Sequence, residues 1–243
     1  MKAKKFGIIA LVLAIALLIA PIRESRAEEE LDVKTSGDYE YYILDDGTAC
    51  IIRYNGEDAK VIVPEKLDKI SVTGIRDGAF FNCSNLTEIT IPDSVKKIAY
   101  NPFIGCENLL NINISADHPT FAFIDNILIY KPEKKIVIYL STSKESKYKI
   151  PDEIESIGDR AFSDCKNLTE ITIPDSVQSI RYSAFSGCDN LKKINIPASV
   201  DTIGEYAFED CDNITVTVEK GSFAEKYCKE NNTKYMYEDS LKN

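Results

Sequence analysis

Across most of this 243-residue chain the apolar positions recur about every 23 residues, not every two as in a half-buried strand or every 3.6 as on a helix face. From Ile75 they fall at Ile75, Phe80, Leu86, Ile89, Ile91, Val95 and Ile98. That is too sparse for a helix, and strict alternation is confined to Ile89 and Ile91. The spacing predicts one short strand and one turn-rich return per unit, and a fixed period in this range predicts a solenoid. Five units begin at Ile75, Ile98, Ile157, Ile180 and Ile203, and the first and third agree at 16 of 23 positions.

Within a unit, Leu86, Ile89 and Ile91 are expected to point inward and Glu88 and Thr90 outward, because side chains alternate along a strand. Pro92, Pro174 and Pro197 follow the strand and end its hydrogen-bonded ladder. Val95/Ile98, Val177/Ile180 and Val200/Ile203 form a second inward row on the return. Ala79/Phe80, Ala161/Phe162, Ala184/Phe185 and Ala207/Phe208 are expected to stack as an aromatic spine, with Pro102/Phe103 the departure. Cys83, Cys106, Cys165, Cys188 and Cys211 share one register. An exported chain suggests disulfides, whereas one cysteine per coil at the same position suggests a row of small buried thiols. Cys50 and Cys228, in the flanks, are the better candidates for chemistry. Asn85, Asn108, Asn167, Asn190 and Asn213 precede the leading Leu or Ile of every strand. Three of them head N-x-T sequons, yet the asparagine persists at Asn108 and Asn190 where the sequon is lost, which favours a backbone-bonding role at a tight turn.

Both flanks read as caps, as a solenoid requires. From Tyr39 the chain alternates around Asp46-Gly47, a hairpin signal. Ser222 is a candidate N-cap for a short helix, followed by a strand-like segment ending at Tyr237. The expected organisation is a leader over 1–27, an N-terminal cap and first irregular coil over 28–74, repeats over 75–218 and a C-terminal cap over 219–243. The interval from about 116 to 155 is expected to hold a hairpin-bearing irregular coil, with Lys144–Lys149 as its exposed, mobile edge.

The leader prediction rests on three early lysines, an apolar run from Phe6 to Ala20 and a Ser25-Arg26-Ala27 cleavage signal. An uncleaved anchor is the alternative, although the run is shorter than the ~20 residues that span a bilayer. Cleavage removes five basic residues and one acidic one and leaves a formal net charge of −14. That balance argues against nucleic acid as a partner, since phosphate binding needs a positive footprint, and no membrane insertion is expected once the leader is gone. The sole histidine, His118, is expected in a solvated turn. No phosphate loop, zinc-binding helix or nucleophile elbow is present, so no cofactor, metal or catalytic residue is assigned and the chain is not read as an enzyme.

The pattern I-x-x-x-A-F-x-x-C-x-x-L-x-x-I-x-I-P-x-x-V resembles the BspA-like, or Treponema pallidum type, leucine-rich repeats from about Tyr39 to Tyr237. The resemblance implies a right-handed, curved array of short parallel β-strands with turn-rich returns, on secreted or cell-surface proteins several of which adhere to host proteins or other cells. Pro102 and Ser115 depart from it. The expected partner is an extracellular protein or cell-surface ligand, held on the outward strand residues Glu88, Thr90, Asn111, Asn113, Glu170, Thr172, Lys193 and Asn195. The competing expectation is a structural or self-assembling envelope component in which this row only solvates the sheet.

Overall fold

Residues 32–241 are described in the computed structural model; the leader and its cleavage signal lie outside the described residues. In chain order the strands are β1 (Lys34–Ser36), β2 (Tyr39–Ile43), β3 (Ala49–Tyr54), β4 (Lys60–Ile62), β5 (Lys66–Leu67), β6 (Ile70–Ile75), β7 (Glu88–Ile91), β8 (Lys97–Ile98) and β9 (Asn111–Ile114). Then come β10 (Phe121–Ile124), β11 (Ile127–Tyr130), β12 (Lys135–Tyr139), β13 (Lys147–Lys149), β14 (Ser156–Ile157), β15 (Glu170–Thr172), β16 (Ser179–Ile180), β17 (Lys193–Ile196), β18 (Thr202–Ile203) and β19 (Thr215–Val218). Helix α1 (Phe223–Glu230) and β20 (Tyr235–Tyr237) complete the C-terminal end.

Stacking the repeat strands yields two parallel runs, β4-β7-β9 and β13-β15-β17-β19-β20. The second inward row forms the opposite side of each coil, as β3-β6-β8 and then β12-β14-β16-β18. Ile89, Ile91, Ile171, Ile194 and Ile196 face a core that excludes water, as do Val95, Val177 and Val200. The prolines stop each strand as expected, and their carbonyls accept from the valine three residues on: Val95 to Pro92, Val177 to Pro174 and Val200 to Pro197. Before every repeat cysteine the backbone enters the left-handed region, at Asn82, Gly105, Asp164, Gly187 and Asp210. Only Gly, Asn and Asp adopt that conformation readily.

Side chains stitch each coil to the one before it. Asn108 Nδ2 donates to the Ser84 carbonyl, Asn190 Nδ2 to Lys166 and Asn213 Nδ2 to Asp189. The thiols repeat the device: Cys106, Cys188 and Cys211 Sγ donate to the carbonyls of Phe80, Phe162 and Phe185 at 3.0–3.1 Å. All seven cysteines are free, six of them buried and Cys83 half-buried. Burial pushes the Cys106 thiol up to about 12 and the Cys228 thiol up to about 11. These are therefore protonated, unreactive sulfurs, since the thiolate is the nucleophile. Cys50 and Cys228 sit at opposite ends of the array, in β3 and α1, so they do not pair with one another.

The interval between the second and third units holds the expected hairpin, and that hairpin sets the architecture. Strands β10, β11 and β12 form an antiparallel meander whose β11–β12 hairpin is buried on both faces. Leu128, Val137, Ile138 and Leu140 pack into one core with Tyr54, Phe80 and Phe103, while Ile127, Ile129, Ile136 and Tyr139 pack into a second core with Phe162, Phe185 and Phe208. The hairpin is thus a septum between two arrays. It also repeats the N-terminal cap: Tyr54 and Tyr139 each begin an aromatic spine and donate their backbone N–H to the alanine of the next coil, Ala79 and Ala161. The first strand after each hairpin carries a lysine paired with the next coil's glutamate, Lys60 with Glu88 and Lys147 with Glu170.

Two expectations fail here. Lys144–Lys149 is not an exposed edge throughout, because Lys147–Lys149 is β13, paired in parallel with β15, with Tyr148 buried against Tyr139 and Phe162. His118 is not a solvated turn residue; it is 0% exposed. Ser115 stands where other units have the strand-ending proline, and its carbonyl accepts from the His118 N–H, which places His118 in the buried valine register. The Nδ1 of His118 accepts the N–H of Thr120 and Phe121, which leaves the proton on Nε2 to bond the Pro92 carbonyl at 3.2 Å. Pro102 forgoes only a local turn bond, the one that Ala79, Ala161 and Ala184 donate to the carbonyls of Arg76, Gly158 and Arg181. Regular coils donate N–H groups forward to the next coil, as Phe162 does to Ala184. The coil before the septum instead finds acceptors in side chains, Asn101 N–H bonding Asp77 Oδ1 and Phe103 N–H bonding Asn101 Oδ1.

Candidate functional site

The outward side of the strand ladder holds the eight residues expected to bind a partner, and pairing sets them in two rows. One row runs Lys60, Glu88, Asn111 and, beyond the septum, Lys147, Glu170, Lys193, Thr215. The other runs Ile62, Thr90, Asn113 and then Lys149, Thr172, Asn195, Thr217, Met236. Neighbouring parallel strands lie ~4.8 Å apart, so the side chains along a row touch.

The two arrays treat these rows differently. In the first, the residues satisfy each other. Lys60 Nζ lies 3.0 Å from Glu88 Oε2, Asn113 Nδ2 donates to Glu88 Oε1 at 2.5 Å and Asn111 Nδ2 donates to Asn113 Oδ1 at 2.6 Å. Lys60, then Asn113, holds the Glu88 carboxyl below its usual range. This closed network leaves few polar groups for a ligand, and Ile62 stands beside it 74% exposed.

In the second array the row is open. Glu170 is held below its usual range by Lys147 at 2.7 Å, but Thr172 and Lys193 are exposed and Asn195 Oδ1 is buried without a hydrogen-bond donor among the described residues. A groove of about 960 Å³ runs across this face, lined by Glu170, Thr172, Lys193, Asn195, Thr217 and Tyr235. Its far wall is β20, which extends the sheet in parallel beyond the last repeat strand. That wall stands because α1 is well anchored: Ser222 caps it through the Glu225 N–H, and the Glu225 carboxylate bonds Lys229 Nζ, the Tyr237 hydroxyl and the Gly221 N–H. Lys229 foremost, then Tyr237 and Gly221, hold the Glu225 carboxyl down to about 2.

Four of the eight residues, Glu170, Thr172, Lys193 and Asn195, therefore share one groove, and Glu88, Thr90, Asn111 and Asn113 form a separate network across the septum. The sequence reading missed Thr215, Thr217, Lys234, Tyr235 and Met236, which also line the groove. Carrying the alternation into the fifth unit would have found Thr215 and Thr217, and counting the strand-like segment ending at Tyr237 as one more rung would have found the others. The groove can hold an extended chain by hydroxyl and amide contacts set on the sheet and by ammonium groups on flexible stems. Among the described residues no group of three or more His, Cys, Asp or Glu is placed to hold a metal ion, and no helix is long and apolar enough to cross a membrane.

Residues 60–128 and 138–232 match the BspA type leucine rich repeat region in six copies. The break between the matched stretches falls on the septum. Among solved structures, the leucine rich repeat protein of T. pallidum is 26% identical over 76% of this chain and 70% of its own, with a TM-score of 0.38. A leucine-rich repeat protein from Bacteroides ovatus is 24% identical over 76% of this chain and 52% of its own, with a TM-score of 0.48. The pneumococcal vaccine antigen PcpA is 14% identical over 76% of this chain and 81% of its own, with a TM-score of 0.47. No match was found among the curated proteins.

Proposed function

This chain belongs to the BspA type leucine-rich repeat family, and we propose that it is a secreted or cell-surface binding module whose second array grips an extracellular protein or cell-surface ligand along its strand face. The observation that carries this reading is the open groove, where exposed Thr172 and Lys193 flank the unsatisfied Asn195 Oδ1. A buried acceptor without a donor costs about 1–3 kcal/mol, and rotation of the half-buried Asn195 amide toward a ligand N–H in the groove recovers it. Side chains fixed on a sheet lose little entropy on engagement, and that favours affinity. Catalysis has no support in the groove, where the two carboxylates, Glu170 and Glu238, stand among Lys192, Lys193 and Lys234.

The test is binding of the purified protein to arrayed extracellular-matrix, plasma and cell-wall components. Two multiple variants run beside it: Thr172→Ala with Lys193→Glu and Asn195→Ala in the groove, and Glu88→Ala with Thr90→Ala on the closed network. Binding at micromolar concentration, weakened at least tenfold by the first variant and little changed by the second, is the expected result. Equal loss in both variants would sink the groove assignment. No binding together with concentration-dependent self-association would favour the structural role.

A further inference from the structure

On the return side, the septum interrupts a hydrogen-bond ladder. At each regular junction the isoleucine carbonyl accepts from the residue after the next coil's isoleucine: Ile51 from Arg76, Ile75 from Ala99, Ile136 from Gly158, Ile157 from Arg181 and Ile180 from Gly204. Ile98 is the exception inside the chain. Strand β8 pairs with β6 on one side and with no strand on the other, and among the described residues no bond reaches the Ile98 carbonyl. Because a parallel ladder alternates the direction of successive residues, both the N–H and the C=O of Ile98 point to this open side. The other end of the return ladder, β18, packs against α1.

A cleft of about 630 Å³ lies against the open edge, between β8 and β12. Arg76, Lys96, Lys97 and Lys135 line it together with Tyr42 and Tyr130. Arg76 lies over the Tyr42 ring at 5.8 Å and Lys135 over the Tyr130 ring at 5.1 Å. The carboxylate in the lining, Glu133, is already engaged by Lys135 at 2.7 Å and by Arg181 at 3.8 Å, and Asp46, which exerts its field near Lys96 and Lys97, accepts from Thr48. Four cations thus gather at one strand edge of a chain whose formal net charge is −10.

We propose that this cleft is a second binding site, which takes an extended acidic peptide segment of a partner protein as an added strand on β8. Main-chain bonds to Ile98 supply register, the tyrosine rings supply apolar contact, and the lysines select the occupant. Lysine on a free edge repels basic strands, and an uncharged strand that paired there would desolvate the ammonium groups without compensation, whereas a strand that carries carboxylates at alternate positions is attracted. The inference is independent of the strand-face groove, which lies on the other side of the coil.

The probe is a fluorescein-labelled octapeptide of alternating valine and glutamate, with an alternating valine and lysine peptide as control. Titration by fluorescence anisotropy is paired with amide exchange of Ile98 read by NMR. Expected are saturable binding of the acidic peptide only, slowing of Ile98 exchange at least tenfold on saturation, and at least tenfold weaker binding to Arg76→Glu/Lys97→Glu. Both of those residues are exposed, so the fold should be retained, and an unchanged melting curve checks it. Absence of binding, equal binding of the basic peptide, or binding without protection of Ile98 would each overturn the proposal. So would binding that survives Arg76→Glu/Lys97→Glu and is lost in Lys193→Glu, because the peptide would then sit on the strand face.

Discussion

Replacing Phe162 with alanine tests the packing logic of the array at its most informative point. Phe162 is 0% exposed and its ring stacks between Tyr139, at 5.1 Å and 19°, and Phe185, at 5.2 Å and 25°. It links the septum to the repeats, since Tyr139 belongs to β12 and Phe185 to the following coil. Truncating a buried Phe costs about 3–5 kcal/mol, part lost transfer energy and part residual cavity, and the close coils of a solenoid have little freedom to collapse around the gap. For a chain of this size each kcal/mol lowers the melting temperature by about 2–4 °C, so the expected drop is about 6–20 °C. The assay is thermal unfolding by circular dichroism, with Thr172→Ala as control; that exposed position should shift stability by less than about 0.5 kcal/mol. Amide exchange adds a regional readout, because protection should fall in the coils from Tyr139 to Tyr227 before it falls in those from Tyr41 to Phe103. A drop below about 2 °C for Phe162→Ala, or a larger loss for Thr172→Ala, would refute the inward and outward assignment.

Further outcomes can be checked with the same material. A thiol reagent added to the native protein should label half-buried Cys83 first, and the six buried cysteines should react only after unfolding; a disulfide-linked species in the unreduced mass spectrum would contradict the free-thiol rows. His118→Leu leaves the N–H groups of Thr120 and Phe121 and the second bond to the Pro92 carbonyl unmade, and should cost about 2–4 kcal/mol in a denaturant titration. Glu225, held down to about 2 against an ordinary glutamate value near ~4.3, stabilises the C-terminal cap at pH values above that ordinary value, and the contribution is lost as pH falls through the folded value. The melting-temperature gap between the parent and Glu225→Gln should therefore narrow between about pH 5 and pH 2, and a constant gap would exclude this role.

Most of the repeat architecture can be read from residue spacing, because each coil uses the same few side chains for the same physical reasons. The Phe spine, the strand-ending prolines and the asparagine bonds all follow from register alone. His118 was legible too: once Ser115 is aligned with the strand-ending prolines, three residues on falls the buried valine position. The septum was harder to recognise. Strands buried on both faces read as nearly unbroken apolar runs, and Ile127–Tyr130 and Lys135–Tyr139 do so. Their kinship with Tyr39–Tyr54 lies in hydrogen bonding and in one tyrosine, not in residue identity. For the strand face, register placed all eight residues in two rows, but it could not tell that Asn113 would reach across to Glu88 while Asn195 would be left without a donor. That difference depends on what each neighbouring rung carries.

The septum also bears on how such a gene lengthens. Inserting a single 23-residue coil must keep every aromatic, thiol and asparagine row aligned with both neighbours. Here the two most similar units, from Ile75 and Ile157, each follow a hairpin that starts a fresh stack. A capped array is thus a unit that can be added whole, joined to its predecessor through a hairpin that closes both cores but leaves the return strand β8 unpaired on one side. An array added whole needs no re-registering of those already present, and a junction built like this one would leave another return strand free, as β8 is here.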